Sequence, residues 1–195
     1  MGRPRDPRID ARIMRETRRQ LRKYGYRGLR VAAVAEAAGV TAPTVRLRWP
    51  TKAELVHDAI FTASDESPVP DTGSLVGDVT EAVASTLATY SAPEMKAGLL
   101  GLAEDVRRDP ELRNRIDGRL RQPAIKAFAA LLDRAVARGE IDSLPRASAE
   151  TLLDVIAGSM VMRVVRHDSS TEGLQEELVD LLLRGIGASP NDATR

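Results

Sequence analysis

An all-α protein of about nine helices is what this sequence predicts, and three observations carry that expectation. The chain is 43% hydrophobic yet only 3% aromatic, so its core is aliphatic and alanine-rich, a composition suited to packed helices. Apolar residues recur at three- and four-residue spacing in successive segments, and none makes a convincing strand. Helix-start signals, a Ser, Thr or Asp followed by an acid or a proline, separate those segments.

The elements follow in order. Residues 1–8, MGRPRDPR, are basic and proline-rich and read as a flexible arm. From Ile9 to Tyr24 the pattern is helical. Ile9, Ile13, Thr17, Leu21 and Tyr24 form a packing stripe, with Arg8, Arg12, Arg15, Arg19 and Arg22 nearly opposite. A basic stripe also serves as a solvated face, and only its end nearest a polyanion would touch one. Gly25 ends this helix as a left-handed residue. A second helix follows Leu29-Arg30, where Arg30 occupies the place of a small cap. Val31, Val34, Ala35 and Ala38 give it one buried face, and Gly39 supplies a turn that wants positive φ.

Thr41 then caps a third helix, about Ala42 to Trp49, with Val40 and Val45 as a hydrophobic staple and Pro43 in the first turn. Pro50 stops it, and Thr51-Lys52-Ala53-Glu54 is a capping box for a fourth helix running to about Ala63. Two short helices joined by a glycine turn make a helix-turn-helix, whose second helix can enter a DNA major groove. On it Pro43 and Leu47 offer apolar contacts to thymine methyls, and Arg46 suits either a bidentate bond to guanine or a phosphate. Thr41 and Thr44 are short hydroxyl donors for phosphate, Ala42 opens the helix beside them, and Arg48 is a further cation. Trp49 reads as core. Lys52 stands in the first turn of helix four, an unfavourable dipole position for a cation that a phosphate would offset.

The run VAEAAGVTAPTVRLRWPTKAELV resembles the DNA-binding domain of the tetracycline-repressor (TetR) family of bacterial transcription regulators. The matching features are Ala38-Gly39-Val40, Thr41, Thr44, Trp49-Pro50 and Lys52 before Leu55. The chain departs from the family where Arg46 replaces a usual tyrosine, so the family's base contacts do not transfer to that position. The resemblance implies an N-terminal arm that can reach DNA, a backbone-contacting Lys52, and a C-terminal helical domain for ligand binding and dimerisation.

Residues 64–73 are acidic, polar and broken by Pro68 and Pro70, which sets a linker between a DNA-binding domain at 1–63 and a second domain at 74–195. Five helices are expected there. The first spans Ser74 to Tyr90. Ser91-Ala92-Pro93-Glu94 reads as a capping box for the next, to Arg108. Asp109-Pro110-Glu111 opens a long helix to Arg138, which Pro123 should kink or break. Ser148 opens the fourth, and Ser170 or Thr171 the last, to about Ile186.

Those last two helices carry more apolar residues than one stripe each. Leu152, Val155, Ile156, Val164, Leu174, Leu178, Leu181 and Leu182, with Ser159 in a close-approach Ala157-Gly158-Ser159 segment, are therefore expected to form a two-fold four-helix homodimer interface, as the resemblance also implies. The competing reading turns both helices onto their own core. On the family plan the middle helices enclose a pocket for a largely apolar small-molecule effector. Met95, Leu99, Leu102, Val106, Phe128, Leu131 and Met160 are candidates for its wall, or for ordinary core.

Charge and chemistry narrow the function. Residues 1–60 hold 14 Lys and Arg against 6 Asp and Glu, while the remainder carries a net −7. That asymmetry points to one polyanion-binding end. No cysteine is present, and His57 and His167 stand far apart, so neither a metal site nor a cofactor is expected. No nucleophile elbow or phosphate-cradling glycine loop appears, and Glu104-Asp105 and Glu176-Glu177 read as solvated faces, so no enzyme is expected. Without a signal peptide or a membrane-length apolar run the expected location is cytoplasmic, at the nucleoid. The expectation is a ligand-released repressor on a palindromic operator in double-stranded DNA. Its rivals are an effector-independent DNA-binding or adaptor protein and an all-helical enzyme.

Overall fold

The computed structural model describes residues 6–61, 71–143, 145, 147–166 and 173–187. Among them are ten α-helices and no strand: α1 (Pro7–Gly28), α2 (Val31–Ala37), α3 (Ala42–Arg48), α4 (Lys52–Phe61), α5 (Leu75–Ser91), α6 (Pro93–Arg108), α7 (Pro110–Ile116), α8 (Gln122–Ala137), α9 (Ala149–Val165) and α10 (Leu174–Ile186). The expected arm up to Arg5, most of the linker, His167 and the proposed caps Ser170 and Thr171 lie outside the described residues.

Two compact units divide the described residues. One comprises Met1–Ala63 with Ala92–Ile116, the other Ser64–Ser91 with Asp117–Arg195. The unit holding the helix-turn-helix therefore takes in α6 and α7 as well as the segment that the sequence marks off at 1–63.

In the first unit, α1 packs against α2, α4 and α6. Gly98 of α6 lets three helices meet: a Cβ there would stand 3.4 Å from Val56 of α4 and 3.5 Å from Leu21 of α1. Ile13, Leu21, Val34, Val45, Leu55, Val56 and Met95 are wholly withdrawn from water. Glu54 is buried with them. It closes the expected capping box with Thr51, each backbone N–H bonding the other's side chain at 3.1 Å, and its second oxygen meets Arg115 of α7 at 3.1 Å.

Three local expectations change in this unit. α1 begins before Ile9, because Asp6 accepts the Arg8 amide at 2.9 Å and Pro7 occupies the first turn; Pro7 and Arg8 are helix rather than arm. Tyr24 is 53% exposed, while Tyr26 is buried in its stead. Gly25 (φ 66°) breaks the helical path after Tyr24, and Tyr26 beyond it is placed off the helical period that the stripe follows. Ser91 does not cap α6. Pro93 favours an extended residue before it, Ala92 becomes the N-cap without a side-chain bond, and Glu94 instead pairs with Arg22 at 3.1 Å.

The second unit is built on α5, which packs against α8, α9 and α10 through Val79, Val83, Leu131, Ile156 and Leu182. Asp78, fully buried, ties α5 to the end of α8: it accepts the Thr72 amide at 2.6 Å and the Arg138 guanidinium at 3.1 Å. Ser148 caps α9 through the Thr151 amide as expected, whereas α10 takes Gly173 as its N-cap. Pro123 stands in the first turn of α8, and the five residues before that helix, Asp117–Arg121, are π-helical. A proline that cannot bond or fit under the carbonyl four residues back widens the preceding turn in this way.

The residues assigned to dimerisation divide by burial within the chain. Leu152, Ile156, Leu174, Leu178 and Leu182 belong to the core of their own unit, and Val164 is buried too. Helices this apolar do not declare from sequence which side is inward; packing on α5 and α8 decides it. Of the nine residues, Leu181 is exposed and Val155 and Ser159 are half-buried, while Met162 and Val165 add exposed apolar surface that the sequence reading passed over.

Candidate nucleic-acid interface

The helix-turn-helix is held by local chemistry legible residue by residue. Gly39 adopts φ 67° after α2, and its amide bonds the Glu36 carbonyl while the Val40 amide bonds that of Ala35, at 3.0 and 2.9 Å. Those paired bonds form a Schellman ending, which satisfies carbonyls that the helix end would leave open. Thr41 caps α3 through the Thr44 amide at 3.4 Å, and the two hydroxyls lie 2.9 Å apart. Val45, with no exposure, pins α3 beneath. Trp49 is core, and its indole donates to Asp58 of α4 at 2.7 Å.

With Val45 inward, α3 turns Pro43, Arg46 and Leu47 to solvent, and Leu47 is 83% exposed. An apolar side chain left so open on a seven-residue helix contributes nothing to its own core. Thr41 is exposed beside them, and Ala42 and Thr44 are half-buried. Arg48 is engaged within the protein: its Nε bonds Asp10 of α1 at 2.5 Å and its Nη1 the Thr44 carbonyl at 3.2 Å. Arg46 is therefore the exposed cation of α3.

Lys52 heads α4. Its ammonium donates to the Tyr26 carbonyl at 3.0 Å and lies 4.2 Å from the centre of the Tyr26 ring. The Tyr26 hydroxyl in turn donates to Asp105 of α6. Burial first, then the Asp105 carboxylate, pushes the Tyr26 phenol far above its ordinary range, so it stays a donor. Sequence reading missed this pair. Asp105 was expected on a solvated face, yet it is half-buried against Tyr26, and only Glu104 behaves as foreseen, bonded to Arg107 and Arg108. No local signal joins residues 79 positions apart.

The seven pocket candidates divide between the units. Met95, Leu99 and Leu102 are buried in the first, where Val106 is half-buried; Phe128, Leu131 and Met160 lie in the core of the second.

Comparisons with known proteins bear on both halves of the chain. The family described as "Bacterial regulatory proteins, tetR family" matches residues 13–59, and "Tetracyclin repressor-like, C-terminal domain" matches residues 69–182. The chain is 28% identical to the uncharacterised HTH-type transcriptional regulator YdeS of Bacillus subtilis, over 96% of its own length and 94% of that protein's. It is 33% identical over 124 residues to the DNA-binding transcriptional repressor TetR of Mycobacteroides abscessus, covering 60% of this chain and 62% of that one. The crystal structure of the TetR family transcription regulator SCO0332 superposes with a TM-score of 0.71 at 23% identity, over 91% of this chain and 98% of that one.

Proposed function

Because the chain belongs to the TetR family of bacterial DNA-binding transcription regulators, we propose that it acts as a homodimeric repressor of a palindromic operator, released by a small, largely apolar effector. The observation that carries the reading is the outward row Pro43, Arg46 and Leu47 on α3, left unused by the protein's own packing. Arg46 offers the fork that fits guanine O6 and N7, and Leu47 and Pro43 suit thymine methyls. Thr41, Thr44 and Lys52 grip phosphate on either side, which fixes register without reading sequence. Arg48, held by Asp10, braces α3 on α1.

A dimer presents two such helices about 34–36 Å apart, one turn of DNA, and so selects a two-fold site. An effector releases the operator only if it binds the DNA-incompetent state more tightly than the competent one.

Selection of sites from a random duplex pool tests the reading. A palindrome is expected, with Arg46→Ala relaxing one base position at a cost of about 1–3 kcal/mol. Lys52→Ala should weaken all sequences alike. Enrichment of no sequence would overturn it.

A further inference from the structure

The environment of Lys52 goes beyond what a phosphate-gripping lysine needs. An exposed lysine on a flexible stem loses rotamer freedom when it fixes a phosphate. Here one donor of the ammonium is spent on the Tyr26 carbonyl, and the Tyr26 ring lies against the charge. A lysine ammonium has three donors, so two remain for a ligand oxygen.

Tyr26 is itself fixed from α6. Its hydroxyl bonds Asp105, and its ring fills the space a side chain at position 101 would need: a Cβ on Gly101 would lie 2.4 Å from ring atoms. One helix of the first unit thus sets the ring, the ring and its carbonyl set the lysine, and the lysine heads α4.

We propose that Tyr26 and Asp105 are positioning residues for DNA binding, which preorganise the Lys52 ammonium for a backbone phosphate and make its grip depend on α6. This rests on the reading of Lys52 as a phosphate contact. Preorganisation of this kind raises affinity by removing an ordering cost rather than by adding a contact. It also gives α6 a route to the DNA surface that runs through α1.

A double-mutant cycle on the full-length protein tests it, with the selected duplex and a scrambled duplex of the same length, across a salt series. Lys52→Ala is expected to weaken both duplexes and to lower the salt slope by about one. Tyr26→Phe and Asp105→Ala should each weaken binding roughly two- to tenfold, the equivalent of one hydrogen bond. In the Lys52→Ala background both should have no further effect. Asp105→Asn, which keeps an acceptor oxygen, should restore part of the loss. Melting temperatures separate folding from binding, and where Tyr26→Phe does not fold, the Asp105 variants carry the cycle. If Lys52→Ala leaves affinity and salt slope unchanged, the phosphate reading itself falls. If Lys52→Ala weakens binding but the other substitutions do not, or weaken it equally without the lysine, that reading stands and the positioning role is overturned.

Discussion

Two residues show how partners distant in sequence decide what a side chain does. Gly101 lies inside α6, where alanine would ordinarily gain about 1 kcal/mol in helix propensity. Its Cβ would overlap the Tyr26 ring, however, and overpacking costs about 1–3 kcal/mol. The steric term should win. Gly101→Ala is expected to lower the urea midpoint and to weaken DNA binding through the displaced ring; an unchanged midpoint would show that Tyr26 has room to move. Asp78 makes a pH prediction. Burial disfavours its charge, but the Thr72 amide and hydroxyl and the Arg138 guanidinium outweigh that and hold its carboxyl below the usual range. A carboxylate depressed in the native state stabilises above its unfolded pKa of about 3.9, and that contribution is lost as pH falls through the folded value. Asp78→Asn should therefore cost about 1–3 kcal/mol at neutral pH and flatten the acid limb of a stability–pH curve. An acid limb identical to wild type would remove Asp78 from the account.

At the scale of elements, the sequence is legible wherever the chemistry spans three or four residues. Gly39, Thr41, the Thr51–Glu54 box, the Asp109 cap and the Ser148 cap all follow from adjacent side chains. The helix-turn-helix was readable for that reason. What stayed hidden depended on packing: Asp105 on Tyr26, Glu54 on Arg115, Arg48 on Asp10, and the inward side of α9. Even Pro93 shows a local rule beaten by another, since its restraint on Ala92 displaced the Ser91 cap. The turn between α2 and α3 yields a clean test. A Cβ on Gly39 meets nothing within 4 Å, so Gly39→Ala carries only the backbone cost of φ 67°, about 1–2 kcal/mol. Thr41→Ala should cost about 1 kcal/mol through the lost cap, and Thr41→Ser much less. Denaturant unfolding measures all three. A Thr41→Ser loss as large as that of alanine would mean the hydroxyl is not what holds α3.

The whole-molecule question is the homodimer, and the buried faces of α9 and α10 sharpen it. A substitution at Leu182, 1% exposed, would damage the core and say nothing about association. Leu181 and Met162, each 56% exposed, are different: in a monomer a charge there meets water and costs little. Gly158, also exposed, leaves open space above α9 for the close approach of another helix. Should the dimer use this outer side, Leu181→Asp and Met162→Asp would place a charge in a desolvated interface and separate the chains. Light scattering at micromolar concentration should then give a dimer mass for wild type and a monomer mass for the double variant, with helical content unchanged. The wild-type melting temperature should rise with protein concentration, and that dependence should vanish in the variant. Binding to a single half-site should survive the substitutions while the affinity for the full palindrome falls, because the two recognition helices no longer arrive together. A wild-type monomer mass would remove the two-fold operator from the proposal, leaving α3 to read one half-site alone. A dimer that withstands both charges would move the interface to another face of the second unit.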